Sequence, residues 1–197
     1  MPYTDVDRLI LERWTEVNAL REAFDELLER MREPIETAAR RVKSRCDELG
    51  LASEYDVKQP SFDFWKNGWA NRRDKAGIYF RIGDFAPFEY GNVKSEHPWL
   101  WVLTHDLDAL RIKGTEAVQF AKELRAHLGS EAAKWDDPDV VDASEPLGRY
   151  CSEVPEADRV RWMTHPDELA GFLVKGVEEL MTLAPAIDVV LEKYRKR

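Results

Sequence analysis

The stretch from Gln59 to Leu107 decides the predicted fold, because it contains three aromatic runs: SFDFW (Ser61 to Trp65), GIYFRI (Gly77 to Ile82) and PWLWVLT (Pro98 to Thr104). In the first two runs apolar and polar residues alternate, as in a strand with one buried face. The third run is apolar on both faces, which is typical of a central strand. Long amphipathic patterns flank the stretch. The sequence therefore predicts an α+β fold, with a three- to four-stranded, mainly antiparallel sheet over residues 59–107 packed with helices.

Residues 1–50 are predicted to form a helical N-terminal arm. Thr4 and Asp7 resemble a capping box, and Gly50 is placed as a left-handed residue after the last turn. Pro34 interrupts the pattern, because proline lacks an amide hydrogen. The two halves form either one bent rod or a hairpin. Apolar residues follow Thr4 at intervals of three and four: Val6, Ile10, Trp14, Val17, Leu20, Phe24, Leu27 and Met31.

This apolar stripe admits two packing arrangements. The opposite face of the helix is charged, as expected of a face in contact with water. We expect the stripe to pack on the chain's own sheet, in preference to a seam between two copies. The protein is accordingly predicted to be a monomer, or a homodimer through its N-terminal helices.

The segments around the sheet complete a predicted single domain of residues 1–197. Residues 52–60 are polar and suggest a linker. Residues 114–197 contain a helix from Thr115 to Gly129, an acidic loop from Trp135 to Glu145, a predicted edge strand within Gly148 to Val154, and closing helices that are broken or kinked at Pro185.

Composition excludes several classes of protein. A net charge of −9 and a pI near 5.1 argue against broad binding to nucleic acid or anionic membrane. No apolar run approaches the length of a membrane span, and the N-terminus lacks the pattern of a secretory signal. Cys46 and Cys151 show no metal or disulfide spacing and are predicted to be buried. We expect a cytoplasmic protein with no membrane partner.

The segment 58–113 is the only net basic part of the chain, with a charge of +2. Basic and aromatic side chains together can hold phosphate and stack on bases, and they also suit a protein interface. The alternative is a hairpin whose arginines pair with acidic groups and whose aromatic rings are core. The predicted partner-binding or nucleic-acid-binding residues are Arg72, Arg73, Lys75, Arg81, Trp65, Trp69 and Tyr90.

Metal and catalytic signatures are weak. His97, His105 and Asp106 are candidate metal ligands, but they end an apolar strand and no further histidine cluster completes a shell. The loop from Asp136 to Glu145 lacks the spacing of a calcium loop. Asp84, Glu89 and Lys94 form a loose nuclease-like triplet in which Asn92 occupies the expected acidic position. No nucleophile or phosphate-loop motif is present, and no cofactor is predicted.

The function predicted from the sequence is that of a non-catalytic binding protein, with a macromolecular partner, most simply another protein. The aromatic connection from Phe85 to Trp101 suits the core of an interface. Two alternatives stay open. One is a nucleic-acid-handling accessory protein that uses the basic segment 71–81, and the other is a hydrolase with a site near His97 to Asp108.

Overall fold

A computed structural model describes residues 4–56, 60–71, 75–87, 97–135 and 144–195. Within these ranges the chain forms six α-helices and five β-strands. The helices are α1 (Asp5–Glu12), α2 (Trp14–Glu48), α3 (Thr115–Leu128), α4 (Glu156–Trp162), α5 (Pro166–Met181) and α6 (Ala184–Arg195). The strands are β1 (Leu51–Asp56), β2 (Ser61–Lys66), β3 (Tyr79–Gly83), β4 (Trp99–Leu103) and β5 (Leu147–Tyr150).

The strands form one antiparallel sheet in the order β1-β2-β3-β4-β5. The predicted α+β class is confirmed, but the sheet has five strands rather than three or four. The segment interpreted as a linker contains β1, an edge strand with exposed charges at Glu54 and Asp56. An edge strand can contain many polar residues, because it pairs with only one neighbouring strand and only one of its faces is covered by helices. The predicted edge strand at the other side corresponds to β5.

The sheet has one covered face, which we call the inner face. It carries six apolar side chains that are at most 1% exposed: Phe62, Phe64, Phe80, Ile82, Leu100 and Val102. Helix α5 approaches this face closely at Gly176, where a methyl group would come within 2.7 Å of Ile82 Cδ1. Glycine therefore sets the spacing between α5 and the sheet. Helix α2 packs against α5 and β1.

The N-terminal arm begins as predicted, with Thr4 and Asp7 forming a reciprocal capping box. Helix α2 then continues through Pro34 without folding back. Of the two predicted arrangements, the continuous rod is therefore confirmed and the hairpin is wrong. The predicted left-handed geometry at Gly50 is confirmed (φ 70°). The prediction that the apolar stripe packs on the chain's own core is confirmed from Leu28 onwards. It is wrong for residues 5–27, none of which is buried.

Other local predictions also need correction. Asn67 and Gly68 tolerate a positive φ and so predict a tight hairpin turn after Lys66. The structure instead has a short 3-10 turn, Asn67–Trp69, and the Trp69 side chain is buried in the core. Helix α3 begins at Thr115, but Gly114 occupies its N-cap, a position for which the threonine side chain is the better sequence candidate. The predicted break at Pro185, by contrast, is confirmed: α5 ends at Met181 and α6 begins at Ala184, with Pro185 in its first turn, where the missing amide hydrogen is tolerated. Helix α4 was not predicted.

Both cysteines are free and buried, as predicted. Of the helices that the structure describes, none combines the length and the apolar character that a membrane crossing requires. Residues 136–143 of the acidic loop lie outside the described residues.

Candidate binding site on the outer face of the sheet

The outer face of the sheet, opposite the side covered by α5, carries aromatic rings and paired charges. Its central cross-strand row follows directly from the strand register. Glu54 lies opposite Asp63, Asp63 opposite Arg81, and Arg81 opposite Trp101. The alternation that buries Phe62, Phe64 and Phe80 on the inner face places these polar residues together on the outer one.

Asp63 and Arg81 form a bidentate ion pair at the centre of this row. The guanidinium Nε and Nη2 donate hydrogen bonds of 2.6 Å each to the two carboxylate oxygens. Asp63 is 4% exposed, whereas one third of the Arg81 side chain remains accessible. The hydrogen bonds with Asp63 raise the pKa of Arg81 above its ordinary value, against the opposing effect of burial. The pair is thus a fixed element of the face.

Arg81 also contacts Tyr79, with its guanidinium carbon 5.5 Å from the ring centroid. Burial raises the pKa of the Tyr79 hydroxyl, and Arg81 only partly opposes this. The hydroxyl therefore stays protonated at neutral pH and can donate a hydrogen bond.

A cavity of about 290 Å³ opens beside the ion pair. Trp65 and Tyr79 supply its aromatic surface, and Lys75 donates to Asp106 across it at 2.6 Å. This contact raises the pKa of Lys75. Three carboxylates and two cations thus line one cavity. Its lining residues are Glu54, Asp63, Trp65, Lys75, Ala76, Tyr79, Arg81 and Asp106.

Glu54 differs from the other two carboxylates of the cavity. Its side chain is exposed, and no ion pair joins it to another residue within the described part of the chain. Asp63 and Asp106 are each neutralised by a cation at 2.6 Å. The cavity consequently has one uncompensated negative charge among its lining residues.

Two tryptophans extend the aromatic surface beyond the cavity. The rings of Trp99 and Trp101 lie 4.2 Å apart and are tilted by 30°. They cover Gly83 and Gly148 on the adjacent strands, where any β-carbon would overlap a ring. Trp101 Nε1 is buried and has no hydrogen-bond partner among the described residues.

The structure brings only some of the predicted binding residues together. Trp65, Lys75 and Arg81 line the same cavity. Trp69 does not, because it is 1% exposed in the core and its Nε1 donates a 2.7 Å hydrogen bond to Asp188 of α6. Three further predicted residues lie outside the described residues: Arg72, Arg73 and Tyr90.

The candidate metal ligands have other partners. His105 Nε2 lies 3.2 Å from Glu145, and Asp106 accepts from Lys75. His97 is half-buried and lies two residues before β4. In the ranges that the structure describes, no three His, Cys, Asp or Glu side chains are arranged to hold a metal ion. Of the nuclease-like triplet, only Asp84 lies within them.

Sequence reasoning missed Glu54 and Asp63 as members of the site. A signal for Asp63 was present, because it alternates with Phe62 and Phe64 and must therefore share the face of Trp65. Glu54 gave no comparable signal, since β1 itself was interpreted as a linker.

The chain matches no protein-family model, no curated protein and no solved structure. A functional proposal for the outer face therefore depends on the residues of this chain.

Proposed function

We propose that the protein is a non-catalytic binding protein that docks another protein on the outer face of its sheet, and that a basic side chain of the partner enters the cavity beside Trp65 and Tyr79. One observation carries the proposal: the cavity combines two aromatic rings with a carboxylate, Glu54, that forms no ion pair with a cation in the described part of the chain.

A cation is the complementary guest on chemical grounds. A guanidinium or ammonium group is attracted to the face of an aromatic ring, and it gains a charge-assisted hydrogen bond with a carboxylate. An anionic guest would have to displace Asp63 from Arg81 or Asp106 from Lys75, and each of these contacts measures 2.6 Å. A cation at Glu54 disturbs neither pair.

The surroundings of the cavity favour a macromolecule over a small ligand. The cavity volume of about 290 Å³ lies at the lower limit for small-molecule sites, which matches a single inserted side chain. Half-exposed aromatic rings lie on the outer face, two of them in the cavity and three beyond it, and tyrosine and tryptophan are enriched at the energetic centres of protein interfaces. These rings belong to Trp65, Tyr79, Trp99, Trp101 and Tyr150.

Nucleic-acid binding through the basic segment 71–81 receives less support. Lys75 and Arg81 are both paired with carboxylates, so neither offers a phosphate an unoccupied cation. The hydrolase hypothesis near His97 to Asp108 gains no support from the separate contacts of His105 and Asp106. We place the proposed binding in the cytoplasm, where buried thiols such as Cys46 and Cys151 stay reduced.

The proposal is tested by NMR titration with two blocked tripeptides, Gly-Arg-Gly and Gly-Gln-Gly. We expect the arginine peptide alone to shift the indole signal of Trp65. Glu54→Gln should weaken this binding by at least about tenfold, as expected for the loss of a charge-assisted contact.

The matched control is Glu178→Gln, which removes the same charge from an exposed position on α5 and should leave the titration unchanged. Equal shifts with both peptides would overturn the proposal. So would binding of a single-stranded oligonucleotide that weakens steeply with salt and is lost in Arg72→Ala/Arg73→Ala, because this result would assign the face to nucleic acid.

A further inference from the structure

The segment 5–27, which we call the arm, leaves a row of large apolar side chains in contact with water. No arm residue is buried, and these side chains are between 36% and 73% exposed. Backbone hydrogen bonds from Arg13 to Leu9 and from Val17 to Arg13 continue the helix across the junction of α1 and α2. The exposed apolar residues are Val6, Leu9, Ile10, Leu11, Trp14, Val17, Leu20, Phe24 and Leu27.

The exposed apolar area of the arm exceeds what a monomer normally leaves uncovered. The eight of these side chains that lie along the stripe, all but Leu11, present on the order of 800 Å², at roughly 100 Å² each. The largest apolar patch of a typical monomer measures about 300–600 Å². A stable protein interface buries about 800 Å² on each partner. The arm therefore has the area of one complete interface.

The exposed stripe is continuous with the part of α2 that packs in the core. Val17, Leu20, Phe24 and Leu28 follow one another at intervals of three and four, and the same stripe runs on through Ile35 and Val42. From Leu28 onwards it is buried, with α5 and β1 packed against α2. A helix that covers the arm must therefore end where this core begins.

This geometry selects the orientation of a second copy. The exposed stripe and the core lie on the same face of the helix. If two copies packed their arms in parallel, the core of each copy would therefore collide with α2 of the other. In an antiparallel pair the two cores lie at opposite ends. We propose that the chain forms a homodimer in which two arms pack antiparallel, with Ile10 facing Leu27 and Val17 facing Leu20 of the second copy.

A second copy is favoured over a lipid surface by the charge of the arm. Residues 5–27 contain seven acidic and three basic residues, a net charge of −4. Helices that lie on anionic membranes carry a basic polar face instead. In a two-fold symmetric dimer the same surface of each subunit packs against its copy, so this surface must be complementary to itself. An apolar stripe meets this requirement.

Sedimentation across a concentration series tests the pairing. We expect the mass of a dimer for the native chain and that of a monomer for Leu20→Glu/Phe24→Glu. The matched control is Leu11→Glu, because Leu11 is 56% exposed but, by the 3.6-residue period of the helix, lies off the stripe; it should remain dimeric. A native chain that stays monomeric, or that binds anionic vesicles in preference to itself, would overturn the proposal.

Oxidative crosslinking tests the orientation without disrupting the stripe. An equimolar mixture of Ile10→Cys and Leu27→Cys chains should give a disulfide-linked dimer, whereas neither variant alone should crosslink. The native thiols do not interfere, since Cys46 and Cys151 are at most 1% exposed. Efficient crosslinking of Ile10→Cys alone would indicate parallel arms and contradict the proposed arrangement. The result is independent of whether the cavity binds a cation.

Discussion

Arg81 and Asp63 face each other across β3 and β2 and are joined by two hydrogen bonds of 2.6 Å. Their pairing explains how a nearly fully buried carboxylate remains on a sheet face whose neighbours are largely aromatic. Removing one partner leaves the charge of the other without compensation in a partly desolvated position.

Asp63→Ala should therefore lower the free energy of unfolding by about 1–3 kcal/mol. Loss of one partner from a fully buried pair costs about 3–5 kcal/mol, and we expect less because one third of Arg81 is exposed. Urea denaturation measures the effect. The control is Glu131→Ala, which breaks an exposed pair with Lys134 and should change stability by less than about 1 kcal/mol. Equal losses would contradict the expectation.

Gly83→Ala should destabilise the protein by about 1–3 kcal/mol, the usual cost of overpacking, because the added methyl overlaps the Trp99 ring. We also expect the near-UV circular dichroism of the Trp99–Trp101 pair to change. Gly171→Ala serves as the control, since nothing lies within 4 Å of a methyl at that helical position. It should stabilise the protein by about 0.5–1 kcal/mol. An unchanged spectrum in Gly83→Ala would refute the ring contact.

Stability should fall at alkaline pH through the two cysteines. Burial raises the pKa of Cys46 to about 11 and that of Cys151 to about 12. Thiols of the unfolded chain ionise near about pH 8.5. The contribution of the two buried thiols to the free energy of unfolding is therefore constant below about pH 8. It is lost as the pH rises towards 12, because the unfolded chain then binds fewer protons than the folded protein.

The slope should reach about 1.4 kcal/mol per pH unit for each cysteine. Urea midpoints measured between pH 8 and the alkaline limit give this slope. Cys46→Ala/Cys151→Ala should show a shallower decline, whatever its stability at neutral pH. Identical slopes would mean that other groups account for the alkaline loss.

Asp188→Ala should cost about 1–3 kcal/mol, because it leaves the Trp69 indole N–H buried without its acceptor. Asp188 also pairs with Lys66. Asp167→Ala removes a more exposed ion pair with Arg41 and should be nearly neutral. Thermal unfolding compares the two variants, and a larger loss in Asp167→Ala would be the opposite of the expected result.

The strands with the clearest alternation were predictable from the sequence. Apolar residues occupy every second position in these strands, with Phe62 and Phe64 in β2 and Phe80 and Ile82 in β3. This alternation is typical of a strand in a sheet with one covered face. Strand β1 was not predictable in this way, since its stability comes from pairing with β2 rather than from its own apolar residues.

The site was only partly predictable, for a related reason. Trp69 and Trp65 flank the same turn, and composition cannot tell which ring points inwards. The 3-10 turn directs Trp69 towards Asp188, while strand alternation keeps Trp65 on the outer face. Likewise, the stripe of α2 predicts a buried helix but does not indicate where along the stripe the core ends.

The succession of the strands has a consequence for how the molecule assembles. Each strand pairs with the strand before it in the chain, so most of the sheet grows by short-range closures that cost little loop entropy. Strand β5 is the exception, since α3 separates it from β4. Its amides should gain protection last during refolding, and the edge formed by β5 is the last part of the sheet to become ordered.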